Sequence, residues 1–557
     1  MPNQLKTGKL EKILHIGFFL SIIVVTPYSV TDPINLPKMV LVVLLGFTCL
    51  GFLINQRFFY QLKRMKFLSL FSALFAIQFL AVLIFSGRNI NEGLYGISGR
   101  YTGFLTYFSL LFICLAFALV SNEKFISQFR LIFLILGCVL LLYGLIQFVG
   151  LEPFPYVNIY ANNVFGTFGN PNFQSAFMGI LGTLTFTLVF DSNLSLARRG
   201  FLALVTMFSL WGIYSTNSWQ GFFNLAAGVG VAFVLLLFRI NRTKLAKGFL
   251  SLGILGFITI AMGILNFGPL ASTLAKASLA ARRLYWEAAV NLMLNHPLFG
   301  VGFDGFGDWF RRGRTEGAAI KNPGLLSNSA HSVPLDIGSS GGFPLLAIYI
   351  ALIALTIFSI VKVVRSNSRM SITFIGFSAA WFSYQAQSLI SINQIGLAII
   401  GWSLTGLIIG YASNSSINED GDQLLISGRN AKKITSKPAI ATYIGPIVGV
   451  VLGSLISLPP FVAANKFYNG LKTSDVRIIN ANAYLKPLDV QRMLMTANIL
   501  EKNKFYKESY EITQSAVEKF PDSFEAWTLF SGLTNSSSLD KSHAKSELKR
   551  LDPHLAP

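Results

Sequence analysis

Thirteen apolar runs punctuate this chain. They lie near 13–30, 36–54, 67–86, 103–120, 131–149, 173–190 and 201–215, then near 221–238, 248–267, 343–361, 371–390, 393–411 and 440–461. Each approaches the roughly 20 residues that a helix needs to cross the hydrocarbon core of a bilayer. The pattern predicts an all-α polytopic membrane protein of about 13 transmembrane helices. Two longer polar segments interrupt it, 86–102 and 268–342. The second falls between the ninth and tenth spans and is too long to be a mere connector. After Phe461 the apolar runs stop, which divides the chain into a membrane domain, 1–461, and a polar helical tail, 465–557.

Charge in the short loops orients the spans. Arg57, Lys63, Arg64 and Lys66 occupy one loop, Lys124 and Arg130 the next but one, then Arg198 and Arg199. The alternation continues with Arg239, Arg242, Lys244 and Lys247, with Lys362, Arg365 and Arg369, and with Arg429, Lys432, Lys433 and Lys437. These share a side with Lys6, Lys9 and Lys12 at the N-terminus, and basic loops stay cytoplasmic. The first run lacks a small-residue cleavage site and reads as an anchor. Both long polar segments and the tail are then expected outside the cytoplasmic membrane. The net charge of +20 (45 Lys+Arg against 25 Asp+Glu) is mostly loop charge and calls for no nucleic acid partner. With 53% hydrophobic and 13% charged residues, the composition excludes a disordered chain and speaks against a large soluble enzyme. Cys49, Cys114 and Cys138 fall inside spans, so neither a disulfide framework nor a C-x-x-C site is expected.

The tail has helical periodicity. Pro487 and Pro521 are 34 residues apart, the tetratricopeptide period, and small residues Ala497, Ser509 and Ala516 fall where paired helices must approach. Trp527 opens a further helix and Pro553 closes it. A tetratricopeptide-like tail offers a concave surface for a protein partner.

Candidate chemistry concentrates in 268–342. Residues 278–294 read as an amphipathic helix, with Leu284, Ala288 and Leu292 on one face and Arg282, Arg283 and Glu287 beside them. Pro297 ends it, and Gly300 and Gly302 permit a tight turn whose backbone can approach a ligand. Beyond a polar stretch come His331, Asp336 and the Gly341–Pro344 entry to the next span.

An Arg before a Trp-containing helix, Pro-x-x-Gly-x-Gly, then His, an acid and glycines before a span resembles the O-antigen ligase family of membrane glycosyltransferases. Arg282 or Arg283, Trp286, Pro297, Gly300, Gly302, His331, Asp336, Gly342 and Pro344 carry the likeness, with echoes at Gly99–Gly103 and Phe168–Phe173. Over 10–411, it implies transfer of a glycan from a polyprenyl-diphosphate-linked oligosaccharide to a glycan, lipid or protein acceptor at the outer membrane face, by inversion, without metal or other cofactor. Under this resemblance His331 is the base, with Asp336 or a backbone carbonyl as its orienter, because imidazole titrates near neutrality. Arg100, Arg282 and Arg283 hold the diphosphate, since guanidinium forks match phosphate oxygens. The cluster Arg311, Arg312 and Arg314, also outside, is a further place to expect it. Asn170 and Asn172 open a helix as caps whose N-terminus can face an anion. In the outer loop after the seventh span, where members often carry Arg, this chain has Ser218-Trp219-Gln220-Gly221, with Gln220 the substrate-binding candidate there, while Ser332 and Ser340 replace a usual Asn and acid. Asp304 and Asp308 lack the further acids a cation site needs.

A repeat-unit polymerase and a protein O-oligosaccharyltransferase share this chemistry and differ in acceptor. A lipid-linked sugar transporter would require ionisable residues inside the spans and internal repeat symmetry. The spans show little of the first and no obvious sign of the second. A non-catalytic assembly scaffold would act through the tail alone.

Overall fold

The computed structural model describes residues 8–54, 61–154, 160, 163–274, 277–366, 370–424 and 441–554. Lys6, Arg57, Arg369, Arg429, Lys432, Lys433 and Lys437, part of the loop-charge pattern, lie outside the described residues. Among the described residues the protein is entirely helical. The first part comprises α1 Gly8–Ile23, α2 Asn35–Leu53, α3 Lys66–Phe85, the short α4 Ile90–Tyr95, α5 Phe104–Val120, α6 Glu123–Phe148, α7 Pro171–Leu188, α8 Leu196–Ser215, α9 Gln220–Arg239 and α10 Thr243–Ile264. The large loop holds α11 Ala271–Leu274, α12 Ala277–Asn295, α13 Phe306–Gly313 and α14 Glu316–Lys321. The second part comprises α15 Val333–Arg365, α16 Ile372–Ile390, α17 Ile395–Leu424 and α18 Ala441–Thr473. The tail follows with α19 Val476–Ala483, α20 Val490–Lys502, α21 Tyr506–Lys519, α22 Phe524–Gly532 and α23 Ser538–Leu551.

A helix covers each of the thirteen apolar runs, and among the described residues nine are long and apolar enough to cross a membrane by length and composition. The protein is therefore an all-α polytopic membrane protein. Three helices outside those nine, the short apolar α5 and the less apolar α7 and α16, are almost wholly buried by other helices. A helix surrounded by protein has no lipid to match, so it tolerates hydroxyls that bond back to their own helix. Thr183, Thr185 and Thr187 of α7 do this to the carbonyls of Gly179, Leu181 and Thr183. At the other extreme α10 buries only Ala246 and Gly263, and its Leu and Ile side chains face outward. Small residues set the closest approach: a Cβ on Gly449 of α18 would lie 2.2 Å from the Phe47 carbonyl of α2.

The basic turns gather at one end of the bundle. There Arg130 reaches Asp191 at 3.8 Å and the Thr373 hydroxyl at 2.9 Å, and Arg199 donates to the Val189 carbonyl at 2.7 Å. The large loop and the tail share the opposite end, where Arg314 meets Asp552. The tail leaves the bundle as an uninterrupted continuation of α18 across the composition change at 461–465. It then folds into two helical hairpins, α20–α21 and α22–α23, around Met493, Ala497, Ile512, Ala516, Trp527 and Phe530. Each hairpin begins three residues after Pro487 or Pro521.

Candidate active site

α12 forms where the heptad-like spacing of Tyr285, Ala288, Ala289 and Leu292 gives it one buried face, which packs with Val301, Phe306 and Phe310. Arg282, Arg283 and Trp286 stay half-buried beside that face. After Pro297 the chain turns back against α15. Val301 and Gly302 donate their backbone N–H groups to the carbonyls of Ser339 (2.8 Å) and Ser340 (3.0 Å), and Phe343 donates to that of Pro297 (2.9 Å). Gly300 (φ +59°) and Gly342 (φ +74°) are required here: a Cβ on either would lie 2.3 Å or 2.4 Å from the opposing backbone carbonyl. Of the two glycines in the expected ligand-facing turn, Gly300 lies against α15 and Gly302 against Ser86 and Arg88.

α15 starts ten residues before the apolar run that marks it, at Val333, with Pro334 in its first turn and a kink at Gly342. Asp336 thereby sits in the first helical turn, and its oxygens accept from the Ser329 hydroxyl (2.6 Å) and the Ala330 N–H (2.7 Å). The same Ser329 hydroxyl accepts from the N–H of His331 (3.0 Å), whose backbone is left-handed at φ +51°. Asp336 thus fixes the turn that presents His331 and makes no hydrogen bond to the imidazole itself.

The His331 ring stacks on Tyr285, with centroids 5.2 Å apart and planes 26° apart. It makes no hydrogen bond among the described residues, and it lines a cavity of about 860 Å³. Burial, and then the positive charges of Arg282 and Arg100, push its pKa down to about 4, so the ring is neutral at pH 7.

The cations differ in what they face. Arg100 is buried between Asp304 and Asp336, each at 3.6 Å, and donates to the Asn328 carbonyl. Arg311, Arg312 and Arg314, an expected diphosphate cluster, are already neutralised by the tail. Arg311 meets Glu525 at 3.6 Å, Arg312 meets Asp522 at 3.2 Å and Arg314 meets Asp552 at 2.7 Å. Arg282 and Arg283 have no acidic partner among the described residues. The Nε of Arg282 and the indole N–H of Trp286, one turn on, are buried donors without an acceptor among the described residues.

Asn170 caps α7 by accepting from the Asn172 N–H (2.9 Å), and Asn172 in turn accepts from the Ser218 hydroxyl (2.7 Å). Gln220 begins α9 with both ends of its buried amide unpartnered among the described residues. None of the three lines the His331 cavity.

Sequence reasoning passed over Arg88 and Tyr285. Arg88 pairs with Asp308 (2.9 Å) and Glu92 (3.2 Å), tying the 86–102 segment to the large loop. It lies outside the basic loops just as Arg100 does, and the loop-charge rule applied to it would have found it. Asp304 makes the second tie, accepting from the N–H groups of Ile97 (3.2 Å) and Thr102 (3.0 Å). No group of His, Cys, Asp and Glu fit to hold a metal occurs among the described residues.

Residues 202–350, from within α8 through the loop to α15, match the family model of the O-antigen ligases. No curated protein matches the chain closely. The family match gives a ligase- or polymerase-type role in membrane glycan transfer, and the His331 turn, α12 and the Gly300 turn all lie inside the matched segment.

Proposed function

We propose that this chain, a member of the O-antigen ligase family, transfers a glycan from a polyprenyl-diphosphate-linked oligosaccharide to an acceptor hydroxyl at the outer face of the cytoplasmic membrane. The N-terminus and the basic turns face the cytoplasm, and the large loop and tail face outward, as the loop charges favour. The observation that carries the reading is the pairing of a neutral His331 with an Arg282 that has no carboxylate of its own.

Arg282, with Arg283 beside it, receives the diphosphate, and the Trp286 N–H adds a neutral donor. The acceptor oxygen attacks the anomeric carbon as the bond to the phosphate oxygen breaks. A single displacement inverts the configuration, and the polyprenyl diphosphate departs with the bonding electron pair. The acceptor proton passes to His331 and then to water or the departing diphosphate. The cations that depress His331 also link the two events. A bound diphosphate offsets the charge of Arg282, so the imidazole becomes more basic when donor is present. Arg100, held by Asp304 and Asp336, acts by fixing the His331 turn. The residues need no metal, because the leaving group's charge meets fixed guanidinium groups. The tail reads as a pair of tetratricopeptide-like repeats.

The test is a reconstituted transfer assay with lipid-linked donor. His331→Ala is expected to leave the protein inserted and folded and to cut turnover by at least about 10²-fold, the usual range for a lost general base. Near-normal turnover by that variant would sink the assignment.

A further inference from the structure

The tail roofs the catalytic end. The 860 Å³ cavity lies within the roughly 300–1,000 Å³ range of sites that hold small molecules. Its walls come from the α1–α2 loop, the 86–102 segment, the large loop, α18 and the tail, the last contributing Asp489, Gln491, Met495 and Glu525. Salt bridges hold that roof in place, together with the Ser98–Asp489 hydrogen bond and the stacking of Arg311 on Phe524 at 3.7 Å.

The chemistry of the lining is one-sided. Six carboxylates face the cavity: Asp32, Glu92, Asp304, Asp308, Asp489 and Glu525. The two guanidinium groups that join them are both committed. Arg492 donates to the carbonyls of Ala483, Leu485 and Pro487, and Arg311 pairs with Glu525 and Asp552. Of the carboxylates, Glu92 and Asp308 meet Arg88, Asp304 meets Arg100 and Glu525 meets Arg311, so the surplus of acceptors rests on Asp32 and Asp489, which have no ion pair among the described residues. Among the described residues Oδ2 of Asp32 has no donor, and the side-chain amides of Asn91, Asn328 and Gln491 make no hydrogen bond. Such a lining repels phosphate and carboxylate groups and receives hydroxyl or ammonium donors. Arg282 and Arg283 lie outside it, whereas His331 lies in its wall.

We propose that the tail-roofed cavity is the acceptor subsite, and that it selects a saccharide acceptor of neutral or amino sugars, placing its hydroxyl at His331. This rests on the transfer reading above. It adds that the acceptor is a glycan, that anionic sugars are disfavoured, and that the tail is part of the specificity apparatus. The same hydroxyl-rich chemistry could come from the glycan of the lipid-linked donor, and competition separates the two sources.

Binding to the full-length protein in nanodiscs would be measured with three soluble probes: tri-N-acetylglucosamine, triglucosamine and trigalacturonate. The neutral and cationic probes are expected to bind at least tenfold more tightly than the anionic one. Met495→Trp and Gln491→Trp, which place bulk in the cavity from the tail side, should each weaken that binding at least tenfold. Lys545→Trp, on the exposed face of α23, should not. Gln491→Lys should shift preference towards trigalacturonate. Equal or tighter binding of trigalacturonate, no binding of any probe, or unchanged binding by both tryptophan variants would overturn the proposal. Displacement of the probes by polyprenyl-diphosphate-linked sugar would assign the cavity to the donor and overturn it too. Failure of the transfer reading looks different: probes bind as expected, yet the wild-type protein forms no product from lipid-linked donor. Conversely, normal transfer by Met495→Trp with unchanged acceptor preference would remove the subsite and leave the transfer reading standing.

Discussion

At the scale of single residues, the site turns on charges that are left without a partner. Arg88, Arg100, Arg311, Arg312 and Arg314 each meet a carboxylate within 4.0 Å, and Arg282 meets none among the described residues. Its field falls on His331, and this gives a pH signature. In the ligand-free protein the His331 ring should titrate near pH 4 by NMR of isotope-labelled histidine. Arg282→Gln should move that midpoint upward, because removing a cation makes protonation easier. An unmoved midpoint would show that the two groups do not communicate. Linkage follows the same sign. Between about pH 6.5 and 4 the unfolded chain takes up a proton that native His331 refuses. Native stability therefore falls as the pH drops through that window and is flat above it. His331→Gln should remove this contribution, seen as a smaller loss of melting temperature between pH 7 and 5. By its family-like motif the sequence singled out both residues as candidates. It could not distinguish Arg282 from Arg314, because Asp552, which neutralises Arg314, lies far along the chain.

Among the elements, the apolar runs predicted every long apolar helix, and amphipathic spacing predicted α12, but the runs misjudged where several helices begin and end. The run near 343–361 corresponds to a helix that starts at Val333. Hydropathy registers only apolar stretches, whereas Asp336 and Ser339 are buried among protein groups that accept or donate to them. Likewise α1 ends at Ile23, although its run continues to 30, because Lys38 of α2 donates its ammonium to the carbonyls of Ile22 (2.6 Å) and Val24 (2.8 Å). A lysine inside an apolar run reads as an exception until its partner is known. The same logic applies to Gly300, expected in a ligand-facing turn, which also makes the contact between the loop and the start of α15. Gly300→Ala would combine a left-handed backbone with a Cβ 2.3 Å from the Ser339 carbonyl. Strain of this kind costs on the order of 1–3 kcal/mol. The variant should melt at lower temperature and lose turnover more than substrate affinity, since the His331 turn hangs from the same helix start. A melting temperature equal to wild type would show that the loop is not pinned there.

For the whole molecule, the site is assembled from segments that the chain keeps far apart, and the tail closes it. Asp552 sits near the end of the described chain and meets both Arg314 (2.7 Å) and Arg311 (4.0 Å), with the Arg314 and Asp552 side chains only 4% and 7% exposed. Removing one partner of a buried pair strands the other charge and costs about 3–5 kcal/mol. Asp552→Ala should therefore raise the population of a lifted tail by about 10²–10⁴-fold. Hydrogen–deuterium exchange would report this as faster exchange in α13 and along the α22–α23 hairpin, with the membrane helices unchanged. Cooperative loss of protection throughout α15 and α16 would instead mean that the tail holds the bundle together. If the tail only roofs the cavity, Asp552→Ala should bind lipid-linked donor normally, because Arg282 and Arg283 belong to α12, and should need more acceptor to reach the same rate. Asp552→Glu, which keeps the carboxylate and only lengthens its reach, should recover most of the lost protection. Separation of donor binding from acceptor demand in one variant would place the tail on the acceptor side of the reaction.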